Sequence, residues 1–92
     1  MAKRYVLLVA DRDLLDEDKR DLSLILESKY GKVTIISVKN PKAVIVKTTS
    51  SVAPLLREMS GRLHIRGKGL STILTSGSIG KLKKRASESE TT

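Results

Sequence analysis

Few side chains in this sequence could catalyse a reaction. His64 is the only histidine, and cysteine is absent. The sequence therefore offers no histidine pair, no histidine-based triad and no zinc site. The stretch GRLHIRGKG at residues 61–69 is only superficially like a phosphate-binding loop, because five residues instead of four separate its first two glycines and a glycine follows the lysine. We therefore predict that the protein itself contributes no catalytic residues.

Acidic side chains are concentrated near the N-terminus, where they could suggest a site for a divalent metal. The segment lacks the central glycine and the ligand spacing of a calcium loop. Carboxylates are also favourable at the start of a helix, where the helix dipole is positive. We therefore predict that these acids begin a helix and bind no metal. They are Asp11, Asp13, Asp16, Glu17 and Asp18.

Positive charge is the strongest chemical feature of the chain. The 92 residues carry a formal net charge of +8, and residues 31–86 hold twelve cations against the single acid Glu58. Such an excess must face water, counterions or a polyanion, for which nucleic acid is the natural partner class; a basic surface that only confers solubility is the alternative. The densest part is TSGSIGKLKKRA at residues 75–86, where a glycine-serine turn precedes four cations.

Base stacking fits this composition poorly, because Tyr5 and Tyr30 are the only aromatic residues. A standard RNA-recognition sheet stacks bases on aromatic side chains of its central strands. Contact with nucleic acid would instead involve phosphates and shape, through arginine, lysine and the backbone N–H groups near Gly77 and Gly80.

Hydrophobic patterns predict the elements that position these residues. The first helix ends at Gly31, and the second is capped by Ser50 or Ser51 and ended by Gly61. Residues 39–41 would form the turn of a hairpin. Strands are predicted over residues 4–10, 32–38, 42–48, 62–66 and 70–76, the second helix over residues 52–60, and the apolar stripe of the first helix at Leu15, Leu22, Ile25, Leu26 and Tyr30.

The predicted order is β-α-β-β-α-β, with an extra C-terminal strand and a basic segment. This order is typical of an α+β, ferredoxin-like or RRM-like sandwich. Right-handed crossovers put the first and third strands in the middle of an antiparallel sheet and both main helices on one face. We expect one RNA-binding domain over residues 1–86 and a flexible acidic or polar tail over residues 87–92.

The fourth strand alternates apolar and polar residues. Leu63 and Ile65 are expected to face the helices. The other side chains, those of Arg62, His64 and Arg66, would then lie on the uncovered face of the sheet. The alternation therefore predicts cations on an open face.

The chain opens with KRYVLLV at residues 3–9 and closes with LTSGSIGKLKKRA at residues 74–86. These two ends resemble the small RRM-like protein subunit of archaeal ribonuclease P, component 2, a family with a eukaryotic relative in nuclear ribonuclease P and MRP. That family typically begins with an Arg-Tyr strand and ends with an apolar strand, a Ser-Gly-Thr/Ser-Ile turn and a basic segment. The chain differs in being compact between the first strand and the hairpin, and in an additional RGKGLST stretch. The matching residues are Arg4, Tyr5, Ile73, Leu74, Ser76, Gly77, Ser78, Ile79, Lys81, Lys83, Lys84 and Arg85.

The resemblance implies a function in tRNA processing. Family members pair with a larger barrel-shaped protein subunit and bind ribonuclease P RNA, which performs the magnesium-dependent removal of the 5′ leader from precursor tRNA. The chain would be a non-catalytic subunit of this endonuclease that binds no cofactor itself and meets precursor tRNA indirectly. The charge pattern, the alternation of the fourth strand and this resemblance together predict the RNA-binding residues Arg62, His64, Arg66, Lys68, Ser76, Gly77, Ser78, Lys81, Lys83, Lys84 and Arg85.

Two other classes of protein fit parts of the sequence. A ribosomal or chromatin-type protein would share the charge and the lack of catalytic groups, whereas a ferredoxin-like regulatory module would bind a small molecule and has no need of such positive charge. The apolar run at residues 5–10 is far shorter than the roughly 20 residues of a membrane span, and no signal peptide is recognisable. We therefore expect a cytoplasmic protein without a membrane partner.

Overall fold

The protein combines an antiparallel sheet with three helices in a computed structural model, which describes residues 3–90 and their side chains as far as residue 87. Its strands are β1 (Lys3–Ala10), β2 (Thr34–Ser37), β3 (Ala43–Thr49), β4 (Leu63–Ile65) and β5 (Lys68–Ser76). Its helices are α1 (Asp16–Tyr30), α2 (Ala53–Glu58) and α3 (Ile79–Glu90). The elements follow one another as β1-α1-β2-β3-α2-β4-β5-α3.

The sheet is curled and has the strand order β2-β3-β1-β5-β4, with every neighbouring pair antiparallel. β1 is central because its residues are apolar on both faces, as a strand covered on both sides requires. The predicted hairpin is present as β2 and β3. This small α+β architecture is compatible with a ferredoxin-like fold. In this protein, β4 is an additional edge strand beside β5.

One face of the sheet packs against α1 and α2, as predicted for the two main helices. Val6 and Leu8 of β1 share this core with Leu22 of α1 and Leu56 of α2, and all four side chains are almost completely buried. Burial of each large apolar side chain contributes roughly 1.5–3 kcal/mol to folding. Leu63 and Ile65 of β4 belong to the same core, in agreement with the prediction for these two residues.

The opposite face of the sheet is not open, which corrects the prediction. Helix α3 crosses it and buries Leu82 and Ala86 against Leu7, Ala43 and Ile45. Leu82 and Ala86 are four residues apart and therefore lie on one side of a helix. The basic run predicted after the glycine-serine turn is thus an amphipathic helix with a narrow apolar stripe.

The rotation of α1 differs in part from the predicted stripe. Leu22 and Leu26 are buried, whereas Leu15 is 59% exposed and Ile25 is 37% exposed. Leu14 is buried in place of Leu15, because it precedes the helix and its backbone N–H donates to the carbonyl of Pro41. The helix begins one residue after Leu15, so helical spacing does not apply to that side chain.

The predicted cap of the second helix and the predicted C-terminal tail also differ from the structure. No side chain caps α2, whose N-cap residue is Val52; the hydroxyls of Thr49 and Ser51 bond to each other instead. Helix α3 continues to Glu90 and therefore overlaps the tail predicted over residues 87–92, of which residues 91 and 92 lie outside the described part. Within the described residues, no helix is long and apolar enough to cross a bilayer.

Candidate nucleic-acid interface

The rotation of α3 on the sheet decides where its cations lie. Leu82 and Ala86 face inward, so the helical repeat turns Lys81 and Lys84 away from the sheet. Lys83 and Arg85 lie on the two flanks of the helix. All four of these basic residues are exposed. The structure therefore brings the four predicted C-terminal cations together on one helix.

The start of α3 is tied to the first and last strands of the sheet core. The backbone N–H of Ser78 donates to the hydroxyl of Ser76 over 3.1 Å, which orders the turn between β5 and α3. A Cβ atom on Gly77 would lie 2.6 Å from a guanidinium nitrogen of Arg4, so the arginine packs directly over the glycine. The predicted site residues Ser76, Gly77 and Ser78 thus form the joint that directs α3 across the sheet.

The far end of α3 reaches the turn of the β2–β3 hairpin. The side-chain amide of Asn40 is buried and donates to the carbonyl of Ala86 over 3.4 Å. Next to this contact, Lys39 and Lys83 line a cavity of about 320 Å³. We call Lys39, Lys81, Lys83, Lys84 and Arg85 the α3 basic surface.

Arg66 lies elsewhere, against α1, which corrects its predicted placement on an open face. Arg66 and Gly67 have φ values of 50° and 82°, as the two central residues of a type I′ turn between β4 and β5 require. Because Arg66 is a turn residue, the alternation of the strand does not fix its direction. Its guanidinium lies 3.2 Å from Glu17, 3.4 Å from Asp18 and 3.5 Å from Asp21.

Lys68, the first residue of β5, is also directed towards α1. Its ammonium group donates to the carboxylate of Asp18 and, over 2.7 Å, to the backbone carbonyl of Asp13. Its side chain is only 15% exposed. These contacts engage Lys68 within the protein, so the structure gives it a role in joining β5 to α1.

Asp18 collects these interactions at the start of α1. Its carboxylate accepts hydrogen bonds from Lys68 and from the backbone N–H of Leu15, the latter over 2.8 Å. Lys68 and this N–H, with a further contribution from Arg66, lower the pKa of Asp18, while burial opposes the shift. Sequence reasoning placed Asp18 correctly in the first helical turn but missed its burial.

His64 and Arg62 remain exposed on the β4 side of the sheet. The Nδ1 atom of His64 is 3.1 Å from the carbonyl oxygen of Arg62, and its ring lies beside Gly69 on the neighbouring strand. The predicted RNA-binding residues therefore divide into two groups: one formed by α3 and its preceding turn, and another formed by the β4–β5 hairpin, in which Arg66 and Lys68 pair with acids.

The acidic residues near the N-terminus do not assemble a metal cage in the part of the chain that the structure describes. Asp16, Glu17 and Asp18 occupy the first turn of α1, which confirms the prediction that they begin a helix. Asp11 instead accepts a hydrogen bond from the backbone N–H of Gly69 over 3.3 Å. These contacts account for four of the acids through helix capping, the helix dipole and pairing with the hairpin.

Comparison with known proteins adds no assignment to this geometry. No protein-family model matches the chain, and no curated protein is significantly similar to it in sequence. The α3 basic surface is therefore interpreted from its own residues.

Proposed function

We propose that the protein binds structured RNA through the α3 basic surface, as a non-catalytic subunit of ribonuclease P in the archaeal cytoplasm. The observation that carries this proposal is the division of α3 into two sides. Leu82 and Ala86 hold the helix on the sheet, while its lysines point to solvent. Lysine and arginine contacts to phosphates supply affinity for a folded RNA with little sequence preference.

The mode of binding differs from that of a standard RNA-recognition sheet. In the ferredoxin-like fold that we propose for this chain, the face used for base stacking is the one that α3 covers here. Tyr5 is half-buried against that helix, and the other tyrosine, Tyr30, bonds to Met59 on the opposite side. Neither ring is presented as a stacking platform, which supports contact with the RNA backbone.

The resemblance of the C-terminal segment to ribonuclease P subunits favours this RNA over others. The protein would neutralise phosphates and stabilise the RNA fold, together with a larger barrel-shaped protein subunit. Magnesium ions bound to the RNA would catalyse the hydrolysis that removes the 5′ leader from precursor tRNA. In this assembly, the protein and precursor tRNA both bind the ribonuclease P RNA, and the protein does not bind precursor tRNA directly.

Reconstitution with ribonuclease P RNA tests the proposal. Added with the larger subunit, the protein should lower the magnesium concentration required for cleavage at the mature 5′ end. The K81A/K84A variant should lose most of this effect, because it lacks the two outward lysines. The K29A/K32A variant removes the same charge from residues outside the α3 basic surface and is the matched control.

Binding assays with other nucleic acids separate the competing classes. Equal affinity for ribonuclease P RNA, ribosomal RNA and duplex DNA would contradict the ribonuclease P assignment and favour a ribosomal or chromatin-type protein. Equal loss of stimulation in K81A/K84A and K29A/K32A would show that only net charge matters. Cleavage of precursor tRNA by the protein alone would overturn the non-catalytic role.

A further inference from the structure

The outer edge of β5 is only partly paired. β1 pairs with residues 70–76 of β5 on one side, but β4 pairs only with Lys68, Gly69 and Leu70 on the other. Three further bonds tie this side as far as Thr72. The N–H of Gly61 donates to the carbonyl of Leu70 over 3.0 Å, the N–H of Thr72 donates to the hydroxyl of Ser60 over 2.9 Å, and the hydroxyl of Thr72 donates to the carbonyl of Leu56 over 3.1 Å. In the chain from residue 3 to residue 90, no strand lies on the outer side of residues 73–76.

The other two edge strands of the sheet are shorter and better protected. β2 has four residues, and Lys19 of α1 reaches its end, where the ammonium group is 3.1 Å from the hydroxyl of Ser37. β4 has three residues, and α1 lies beside it. Short strands and lysines are ordinary protections against unwanted strand pairing. The unpaired stretch of β5 over residues 73–76 is as short as β2, but it contains no lysine.

A groove follows this unpaired edge of β5. It has a volume of about 390 Å³ and is lined by Arg57 of α2 and by Thr72, Ile73, Leu74 and Thr75. Ile73 and Leu74 are 41% and 38% exposed as whole residues, although both belong to a strand of the sheet. The pairing with β1 shifts register here, and such bulges often lie next to functional sites.

Charge indicates what kind of segment the groove accepts. Arg57 is exposed on its wall, and no ion pair of Arg57 occurs among the described side chains. Pairing with a second copy of the chain would bring two Arg57 side chains and two proteins of net charge +8 together, which is unfavourable. A carboxylate beside Arg57 would instead form a charge-assisted hydrogen bond.

We propose that the groove is a docking site for an extended acidic segment of a partner protein, which adds a sixth strand to the sheet beside β5. The backbone of the segment would bond to residues 73–76, its apolar side chains would cover Ile73 and Leu74, and an acidic side chain would pair with Arg57. Strand addition of this kind takes affinity from backbone hydrogen bonds and specificity from alternate side chains. The site is separate from the α3 basic surface and does not depend on RNA binding.

A synthetic peptide tests this docking site directly. The probe is a ten-residue peptide of alternating valine and glutamate or threonine, titrated into the full-length protein and followed by NMR. Amide signals of Ile73, Leu74 and Thr75 should shift, and hydrogen exchange of amides in residues 73–76 should slow. A peptide with lysine in place of glutamate should bind at least about tenfold more weakly, a difference of about 1.4 kcal/mol.

Two controls distinguish strand addition from other kinds of binding. The R57E variant changes an exposed side chain and should reverse the preference between the acidic and basic peptides. An acidic peptide with N-methyl groups along its pairing edge should not bind, because it cannot donate to the backbone of β5. The K81A/K84A variant should bind the acidic peptide as the unmodified protein does.

Several outcomes would overturn the proposal. Equal binding of the acidic and basic peptides, retained binding of the N-methylated peptide, or unchanged amide exchange at residues 73–76 would each exclude strand addition guided by Arg57. Perturbation of the same amides by a ten-nucleotide uridine RNA, and not by the peptide, would make the groove part of an RNA surface. Concentration-dependent dimerisation that protects this edge would assign it to a second copy.

Discussion

Asp18 and Lys68 form an ion pair between the start of α1 and the start of β5, 50 residues apart in sequence. The side chain of Asp18 is 1% exposed, and that of Lys68 is 15% exposed. The same carboxylate also accepts the N–H of Leu15 at the start of α1. A buried charge that loses its partner destabilises a protein strongly, so this pair makes the β4–β5 hairpin and α1 interdependent.

The first prediction concerns the pH dependence of stability. Because the folded protein lowers the pKa of Asp18, ionised Asp18 contributes stability that is fully present above its unfolded pKa of about 4. This contribution is lost as pH falls through the lower folded pKa. The D18N variant should be less stable than the unmodified protein near pH 7, and the difference should shrink towards pH 2. Urea unfolding at several pH values measures it.

The exposed neighbour Asp16 provides the control for this measurement. It lies in the same helical turn but is exposed, so D16N should change the unfolding free energy little at any pH. A stability difference between D18N and the unmodified protein that stays constant from pH 2 to pH 7 would contradict the role assigned to the carboxylate of Asp18.

The second prediction concerns the docking of α3. Leu82 is completely buried, and L82A should lower the free energy of unfolding by about 2–5 kcal/mol if α3 folds cooperatively with the sheet. The side chain of Leu55 is 41% exposed, and L55A should cost much less. Chemical denaturation compares the two variants. Equal effects would mean that α3 does not share in the main cooperative unit.

The third prediction concerns a buried hydroxyl. The Thr48 hydroxyl has no hydrogen-bond partner among the described residues, and the residue is 5% exposed. An unpaired buried polar group costs about 1–3 kcal/mol, so T48V should raise the melting temperature. T34V, at an exposed position of β2, should leave it nearly unchanged. A lower melting temperature for T48V would show that the hydroxyl has a partner in solution.

The fourth prediction concerns RNA affinity and salt. If Lys81 and Lys84 each neutralise one phosphate, K81A/K84A should reduce the slope of log affinity against log salt by about two units. Filter binding or fluorescence titration at several salt concentrations measures this slope. R66Q should change it little, because Arg66 already pairs with three acids. A larger change for R66Q than for K81A/K84A would move the interface to the hairpin.

Strands β1 and β4 were predictable because their signals are local and repeat. The residues of β1 are apolar on both faces, and the alternation of Leu63 and Ile65 with polar residues identified the buried side of β4. The first turn of α1 was equally clear from its acids. In each of these cases, one element contains the whole pattern.

Contacts between distant segments were not predictable in this way. The apolar stripe of α3 consists of Ile79, Leu82 and Ala86, and four cations lie between these residues in the sequence. The basic run therefore hid the apolar spacing of a helix that covers the sheet. The direction of Arg66 differs from the prediction because its positive φ belongs to a tight turn. This turn ends the strand one residue earlier than predicted. No local pattern could indicate that Lys68 pairs with Asp18.

The two-sided character of α3 has a consequence for its motion. Lys81 and Lys84 lie three residues apart on α3, where like charges repel each other, and the apolar stripe of Ile79, Leu82 and Ala86 that packs on the sheet is small. We therefore expect α3 to undergo local opening at a lower free energy than the strands beneath it. A bound polyanion would remove the repulsion and slow amide exchange in Leu82 and Ala86, which face away from it. Because the polyanion binds the closed form of the helix, its binding would lower the population in which the sheet face beneath α3 is exposed to solvent.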